Sequence, residues 1–320
     1  MLFRSTAEAD DGTRLTYHLL AYHSCCTELV DRDMEEFLAR GEEAWSLHAQ
    51  REAWRDEVAR ARYLPDVLSA DEQQVYRRAL VTMRQMQVRE AGASEGQFVA
   101  ALQPPSKTVC DPAPMLLAAE AFAAAGWREP AVAALDFVRR AERDRYKLFD
   151  VYGEEFGVGF PYLVTPSRYD GSGGEWQWPR ADAAVLRYEA MPRYIIAVDA
   201  LRESLRQDAL ARGADFSDST FAAAEWPRLS ATVADVLMYR LDSLGLLAQD
   251  DSPWGAPLSR LPGVYGTVLA SHALRIAARH AAWIGQDLKA FLYEEAADRA
   301  ATAVRGLIEG VLAADRADSL

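Results

Sequence analysis

The chain has 320 residues, of which 50% are apolar and 10% aromatic, a composition typical of a soluble globular protein with one large core or two domains. Its 48 acidic residues outnumber its 35 basic residues, which gives a formal net charge of −13. A surface this acidic repels nucleic-acid phosphates and anionic lipid headgroups, so neither nucleic acid nor a membrane is expected as a partner.

Three further patterns bound the location and the chemistry. No apolar run approaches the roughly 18–20 residues that span a bilayer, and the N-terminal sequence lacks the basic and then apolar segments of a signal peptide. The three cysteines, Cys25, Cys26 and Cys110, have neither a metal-binding nor a redox spacing. The sequence therefore predicts a cytoplasmic, reduced protein without a metal site or a cofactor.

The first 68 residues predict a strand followed by a linker helix. Residues 13–22 alternate so that Leu15, Tyr17 and Leu19 share one face, which indicates one β-strand. A lone strand cannot bury itself, so it must pair with a short local segment or with another chain. We separate this strand segment, residues 1–30, from residues 31–68, whose charged sequence predicts the linker helix.

Residues 69–320 predict a single helical domain. Ser69 and Glu72 form a capping-box pattern at the start of a helix that runs to about Val88. A linker is expected over residues 211–225. Pro192 is expected to kink the helix predicted at 181–205. The other predicted helices are 113–125, 128–143, 181–205, 227–244, 264–283 and 287–312.

Apolar and amphipathic helices alternate along this domain. The helix at 113–125 is apolar on nearly every side, and the helix at 264–283 is mostly apolar, which is typical of helices enclosed by protein. The helices that follow them, 128–143 and 287–312, are amphipathic. This order predicts helical hairpins that curl into a ring, with the N-termini of the inner helices at one mouth.

Asp111 stands at the start of the most apolar helix, where the helix dipole is positive. This is a favourable place to hold an ionised carboxylate toward a ligand. The alternative is that Asp111 only caps the helix, and capping is the commoner role of Asp at such a position. Residues 144–180 form a long segment rich in Gly, Pro and aromatic residues, which indicates an ordered loop over a site.

Several segments resemble those of glycoside hydrolase family 15, the glucoamylases and glucodextranases, in the same order along the chain. They are C-D-P-A-P-M-L-L-A-A-E-A-F-A-A-A-G-W, D-G-S-G-G-E-W-Q-W and S-P-W-G-A-P. The resemblance covers most of residues 31–312 and implies an all-α fold. That fold is an incomplete (α/α)6 barrel of helical hairpins, with one N-terminal β-strand and a linker helix. It also implies that Asp111 matches a substrate-binding aspartate and Trp178 a sugar-site tryptophan.

The departures from that family affect its catalytic groups. Gly255 follows Trp254, where the family has a glutamate that serves as the catalytic acid. The chain also stops near the seventh helix of twelve, before the family's catalytic base. Inverting glycosidases need both carboxyl groups, so this chain is expected to hydrolyse glycosides poorly or not at all.

An open half-ring exposes the apolar inner helices, which a monomer tolerates poorly. We therefore expect a second polypeptide that completes the helical barrel, as a heterodimer or a heterotetramer. A split protein of this kind resembles the aziridine-forming cyclases of azinomycin-type antibiotic biosynthesis. That resemblance implies ring closure, in which an amine attacks a neighbouring carbon and displaces sulfate.

Ring closure assigns roles to the residues near the mouth, for a small polar substrate. Asp111 is the expected base, and Glu175 is an alternative base or a ligand for the ammonium group. Lys107 or Arg168 is expected to receive the sulfate. Four aromatic side chains are expected to line the pocket: Trp176, Trp178, Trp254 and Tyr265. The charged residues have the alternative of lying solvated on the surface, and the aromatic residues that of packing the loops.

Two histidines have no such role. His272 and His280 are eight residues apart on one helix, too far for one metal ion, and are expected to be structural.

Three functions remain open at this point. The first is an enzyme subunit repurposed for natural-product biosynthesis. The second is an α-glycosidase of the glucoamylase or glucodextranase type. The third is a non-catalytic subunit that binds sugar or acts as a scaffold.

Overall fold

The structure is a computed structural model. It describes residues 2–8, 14–20, 35, 39, 47–61, 67–89, 91–99, 110–143, 148–149, 155–156, 160–176, 187–248 and 263–318. Most of these residues are helical, as the sequence predicts. None of the described helices is long and apolar enough to cross a membrane. The chain divides into two compact units, Met1–Ala59 and Arg60–Leu320.

The first unit contains a β-hairpin and a helix. Strand β1, Leu2–Glu8, pairs antiparallel with β2, Arg14–Leu20, so that Leu2 lies opposite Leu20. The alternating pattern predicts one strand here, but the structure has two, because β2 pairs with the segment immediately before it. Helix α1, Leu47–Ala59, lies within the predicted linker helix, most of whose other residues fall outside the described ones.

The second unit consists mainly of helices. Two short strands, β3 Leu148–Phe149 and β4 Glu155–Phe156, also pair with each other. The helices are α2 Ala70–Met86, α3 Pro112–Ala124, α4 Arg128–Arg140, α5 Ala190–Ala211, α6 Asp218–Leu229, α7 Asp235–Arg240, α8 Val264–Trp283 and α9 Asp287–Asp318.

Local signals set several of these helix ends. The predicted capping box is confirmed, because the backbone N–H of Glu72 donates to the Ser69 hydroxyl and the Ser69 N–H donates to the Glu72 carboxylate at 2.8 Å. Gly126 follows the end of α3 with a φ of 72°, a left-handed conformation that glycine adopts without strain.

Two predictions around proline residues are wrong. Pro192 is the third residue of α5, in the first turn, where the helix loses no hydrogen bond and needs no kink. Residues 211–225 are not a linker throughout, because Ser217 caps α6 by accepting from the N–H of Thr220 at 3.2 Å. Pro227 therefore lies inside α6 instead of starting a helix. A π-helical segment, Ser230–Ala234, follows it and joins α6 to α7.

Two pairs of consecutive helices run antiparallel. Helix α4 runs antiparallel to α5, since Arg139 meets Tyr194 and Arg128 meets Asp208. The hydroxyl of Ser271 in α8 donates to the carbonyl of Ala297 in α9 at 2.9 Å, and the sharp turn before Asp287 makes these two helices antiparallel.

The helices α3, α5 and α8 run parallel to one another. Arg187 and Arg193 meet Asp111 and Glu120 respectively, so the contacts between α3 and α5 advance along both chains in the same direction. Helix α8 follows the same rule against α5, because Tyr265 meets Arg193 and His280 meets Asp199 farther along. The N-termini of these three helices therefore lie at one end. We call them the inner helices below.

Helix α5 is the most enclosed of the three, with Tyr194, Ile195 and Val198 completely buried. The expectation that the helix at 113–125 is enclosed on all sides is wrong in part. Leu117 of α3 is 44% exposed and Val268 of α8 is 49% exposed. The two inner helices that flank α5 thus keep an apolar stripe exposed.

A buried ion-pair cluster joins α5 to α8. The carboxylate of Asp199 accepts from His280 Nε2 at 3.1 Å, from Arg202 Nε at 2.8 Å and from Arg279 at 3.1 Å. Burial acts to raise the pKa of Asp199, but hydrogen bonds from His280 and Arg202 outweigh burial and lower the pKa to about 2. The histidine at 280 therefore has the structural role expected from the sequence.

This cluster predicts how stability depends on pH. Because folding lowers the pKa of Asp199, its contribution is complete above the ordinary pKa of about 3.9 and is lost as the pH falls toward about 2. We expect Asp199→Asn to lower the free energy of unfolding at pH 7 by about 2 kcal/mol and to flatten the decline in stability between about pH 4 and pH 2. Urea unfolding at stepped pH measures both effects.

The control is Asp298→Asn, which removes a carboxylate that is 64% exposed and paired with Arg275. It should leave the pH profile as it is in the parent chain. A decline in the Asp199→Asn variant as steep as in the parent would contradict the assignment.

Candidate functional site

A backbone pair holds the loop of residues 160–176 at the start of α3. The N–H of Cys110 donates to the carbonyl of Tyr169 at 2.7 Å, and the N–H of Tyr169 donates back at 2.9 Å. Tyr169 is completely buried, and its ring packs edge-to-face on Phe137 with 5.1 Å between the ring centres. The loop is therefore ordered and fixed next to Asp111.

The Asp111 carboxylate both caps α3 and binds arginine. It accepts from the N–H of Ala113 at 3.3 Å, which confirms the capping interpretation. Its other oxygen accepts a hydrogen bond from Arg187, and the Nε of Arg168 lies 3.9 Å from that oxygen. The cap is thus also the centre of a cluster of charges at the N-terminal end of the inner helices.

Two arginines from different segments converge on this carboxylate. Arg187 lies just before α5 and is also 4.0 Å from the carboxylate of Glu189. Arg168 comes from the loop, and its guanidinium lies 6.0 Å from the centre of the Trp176 ring, within cation–π range. Burial and the neighbouring Arg187 lower the pKa of Arg168, while Asp111 opposes this shift. Arginine remains charged after such a shift because its ordinary pKa is so high.

Glu175 lies farther inside the loop. It is 6% exposed, and one of its oxygens accepts from the hydroxyl of Tyr162 at 2.7 Å and from that of Thr165. These bonds join the two ends of the loop through one buried carboxylate, which is a structural use of the charge.

A second cluster links all three inner helices. Arg193 of α5 donates to the hydroxyl of Tyr265 in α8 at 2.9 Å and lies 3.5 Å from the carboxylate of Glu120 in α3. Tyr265 is 39% exposed. The tyrosine expected to line a pocket therefore lies on the exposed face of the inner helices, where it contacts Arg193, six residues after Arg187.

Cys110 has no nucleophilic character. It is completely buried, and burial raises the pKa of its thiol to about 12, so it stays protonated at neutral pH. Among the residues that the structure describes, no group of three or more His, Cys, Asp or Glu side chains is placed to hold a metal ion.

Two grooves lie away from these charges. One of about 450 Å³ runs along α4, and one of about 490 Å³ lies at its C-terminal end, so that Arg140 lines both. Asp111, Arg168 and Arg187 line neither of them. We place the candidate site at the start of α3 because ionisable side chains from three segments meet there.

The structure brings together four of the predicted site residues: Asp111, Glu175, Arg168 and Trp176. Tyr265 belongs to the neighbouring Arg193 cluster. Lys107, Trp178 and Trp254 lie outside the described residues.

Sequence reasoning missed Arg187, Glu189 and Arg193. The signal for the first two was available, because they immediately precede the inner helix α5, just as Asp111 precedes α3. The role of Arg193 depends on side chains that are more than 70 residues away.

No protein-family model matches this chain, and a search of curated proteins finds no similar sequence. Function is therefore inferred from the geometry of the described residues.

The Asp111–Arg187 pair predicts a measurable coupling. Both side chains are largely buried, at 15% and 12% exposed, and the pair links α3 to the segment before α5. In a double-mutant cycle with Asp111→Ala and Arg187→Ala, we expect a coupling energy of about 1–3 kcal/mol in urea unfolding.

A matched cycle on the exposed pair Arg275–Asp298, at 45% and 64% exposed, should give at most about 1 kcal/mol. Equal coupling in the two cycles would mean that Asp111 acts on stability as a cap alone.

Proposed function

We propose that this chain is one subunit of a two-component, glycosidase-like enzyme of natural-product biosynthesis, whose second polypeptide completes a ring of helical hairpins. The observation that supports this proposal is the apolar stripe left exposed on α3 and on α8, the two inner helices that flank α5. Three inner helices, each followed by an outer helix, amount to half of the hairpins in an (α/α)6 barrel.

The contacts of Arg193 support a single exposed face. Its guanidinium meets Glu120 and Tyr265 on the helices at either side. Leu117 is one turn before Glu120 and Val268 is one turn after Tyr265, so both lie on the face that Arg193 bridges. Leu117 and Val268 are 44% and 49% exposed. Monomeric proteins rarely expose a large continuous apolar patch, which favours a partner that covers this one.

The charges at the mouth suit a small substrate with an amine and an anionic leaving group. Asp111 and Glu189 are carboxylates that attract an ammonium group, while Arg168 and Arg187 are donors for a departing sulfate. All four lie at the N-terminal end of the inner helices, where the helix dipoles also favour an anion.

The reaction we propose for this arrangement is the closure of an aziridine ring. The substrate nitrogen forms a bond to the neighbouring carbon, and the bond from that carbon to the sulfate oxygen breaks. The sulfate leaves with the bonding electron pair, and the proton of the amine passes to a carboxylate. We assign that carboxylate to Asp111, because it lies beside Arg168 and Arg187, whereas Glu175 is 6% exposed and lies farther inside the loop. Alignment of nitrogen, carbon and leaving group contributes the remaining part of catalysis.

The interface can be tested by the mass of the chain in solution. Co-expressed with the polypeptide encoded by the adjacent reading frame, the parent chain should form a stable heteromer. We expect the double variant Leu117→Asp/Val268→Asp to weaken that heteromer by about tenfold or more, because it places charges in the buried interface. Light scattering after gel filtration measures the mass.

The control variant is Val132→Asp, at a residue of the outer helix α4 that is also exposed. It should leave the heteromer unchanged. A parent chain that stays monomeric, melts cooperatively and does not bind the co-expressed polypeptide would contradict the two-component proposal.

The chemistry can be tested with 2-aminoethyl sulfate and with maltose as probes. We expect the complex to release inorganic sulfate from the first and no glucose from the second. Arg168→Gln should lower sulfate release by about 10²-fold or more, since it removes a donor to the leaving group. Ion chromatography measures the sulfate. Glucose release from maltose without sulfate release would favour an α-glycosidase, and release of neither product would favour a non-catalytic subunit.

A further inference from the structure

The last turns of α9 have a solvent-exposed apolar stripe. Up to Val304, the stripe that faces the protein is buried: Tyr293, Ala296, Ala297, Ala300 and Val304 are at most 8% exposed. Leu307, Ile308 and Val311 follow Val304 at the third, fourth and seventh positions, which places them on the same face of the helix. Their exposed fractions are 42%, 52% and 68%.

The intrinsic helix propensity of the end of α9, after Val304, is too low to explain why this segment is helical. Gly306 and Gly310 are poor helix formers, and a Cβ at either would have open space around it, so no close packing within the described chain requires glycine there. A helical end of about 14 residues is marginal in water without packing on an apolar face. The stripe therefore needs a cover.

The stripe adjoins the exposed face of the inner helices. Ser271 of α8 bonds to Ala297 of α9, and the antiparallel register then places Val264, seven residues earlier, level with Val304, seven residues later. Val264 is 44% exposed and is followed one turn later by Val268. An occupant of the α9 stripe thus also lies beside the start of α8.

We infer that residues 305–318 of α9 form an arm that docks an amphipathic helix of the second polypeptide. This inference rests on the proposed two-component function. The arm is about 21 Å long, so its apolar face offers roughly 200 Å², far below the about 800 Å² per partner of a stable interface. Its occupant must therefore bury a second surface of this chain, and the adjoining inner face provides one.

Charge favours a different polypeptide over a second copy of this chain. Each copy carries a net charge of −13, so two copies repel each other as they approach. A helix that has an apolar stripe flanked by lysine or arginine residues is complementary both to the apolar stripe of α9 and to the net negative charge of this chain.

The test compares two faces of the arm in the complex with the polypeptide of the adjacent reading frame. The variant Leu307→Asp/Val311→Asp charges the apolar stripe, and Thr302→Asp charges an exposed residue roughly 160° around the helix. We expect the first to raise the Kd of the heteromer by about tenfold or more and the second to leave it unchanged. Because all three residues are exposed in the single chain, its melting temperature should stay the same in both variants.

Hydrogen–deuterium exchange gives a second readout. Amides of residues 305–318 should exchange more slowly in the heteromer than in the single chain.

If both arm variants keep the heteromer intact while Leu117→Asp/Val268→Asp breaks it, the arm inference is overturned and the proposed function stands. If the stripe variant instead dissociates a homodimer of the parent chain, the occupant is a second copy and the inference is overturned. If the parent chain forms no complex, the arm and the two-component function fail together.

Discussion

The carboxylate of Asp111 is the contact on which the arrangement of the site depends. It caps α3 through the N–H of Ala113 and binds Arg187, which lies just before α5. One side chain thus fixes the start of one inner helix and the distance to the next. The loop of residues 160–176 is set by the same few residues, because Cys110 pairs with Tyr169 and Arg168 approaches the same carboxylate. Charges from three segments therefore converge at the N-terminal end of the inner helices.

The inner helices are held in register by ion pairs at two depths. Near the N-terminal end of the inner helices, Arg193 contacts Glu120 and Tyr265 on the two flanking helices. Deeper, Asp199 is surrounded by His280, Arg202 and Arg279. A partly buried carboxylate is destabilising unless it is paired, so each cluster tolerates only a narrow range of helix offsets. This constraint explains how apolar helices, whose packing alone allows sliding, keep their N-termini at one end.

Signals that act within one helical turn were readable from the sequence, and signals that act across the fold were not. The Ser69–Glu72 capping box and the Asp111 cap depend on residues three positions apart or fewer. The bounds of α8 and the start of α9 also follow from local periodicity. The helix predicted at 227–244 begins too late, because a proline such as Pro227 favours the first turn of a helix, whereas here the helix continues through it into a π-helical segment. The convergence of Arg187 and Arg168 on Asp111 depends on tertiary contacts that no spacing encodes.

The composition of α3 illustrates why an apolar helix is an incomplete predictor of burial. Its sequence has almost no polar side, which argues that protein surrounds it. In the single chain only part of its circumference is covered, and Leu117 stays 44% exposed. The same conflict recurs at Val268 of α8 and along Leu307, Ile308 and Val311 of α9. These stripes lie on helices tied to each other by Arg193 and by the Ser271–Ala297 bond, so the proposed second polypeptide could cover all of them at once. Separate partners would each have too little area to bind stably. Under the two-component proposal, the sequence of α3 is that of a helix enclosed within a complex, which reconciles its apolar composition with the exposure of Leu117 in this chain.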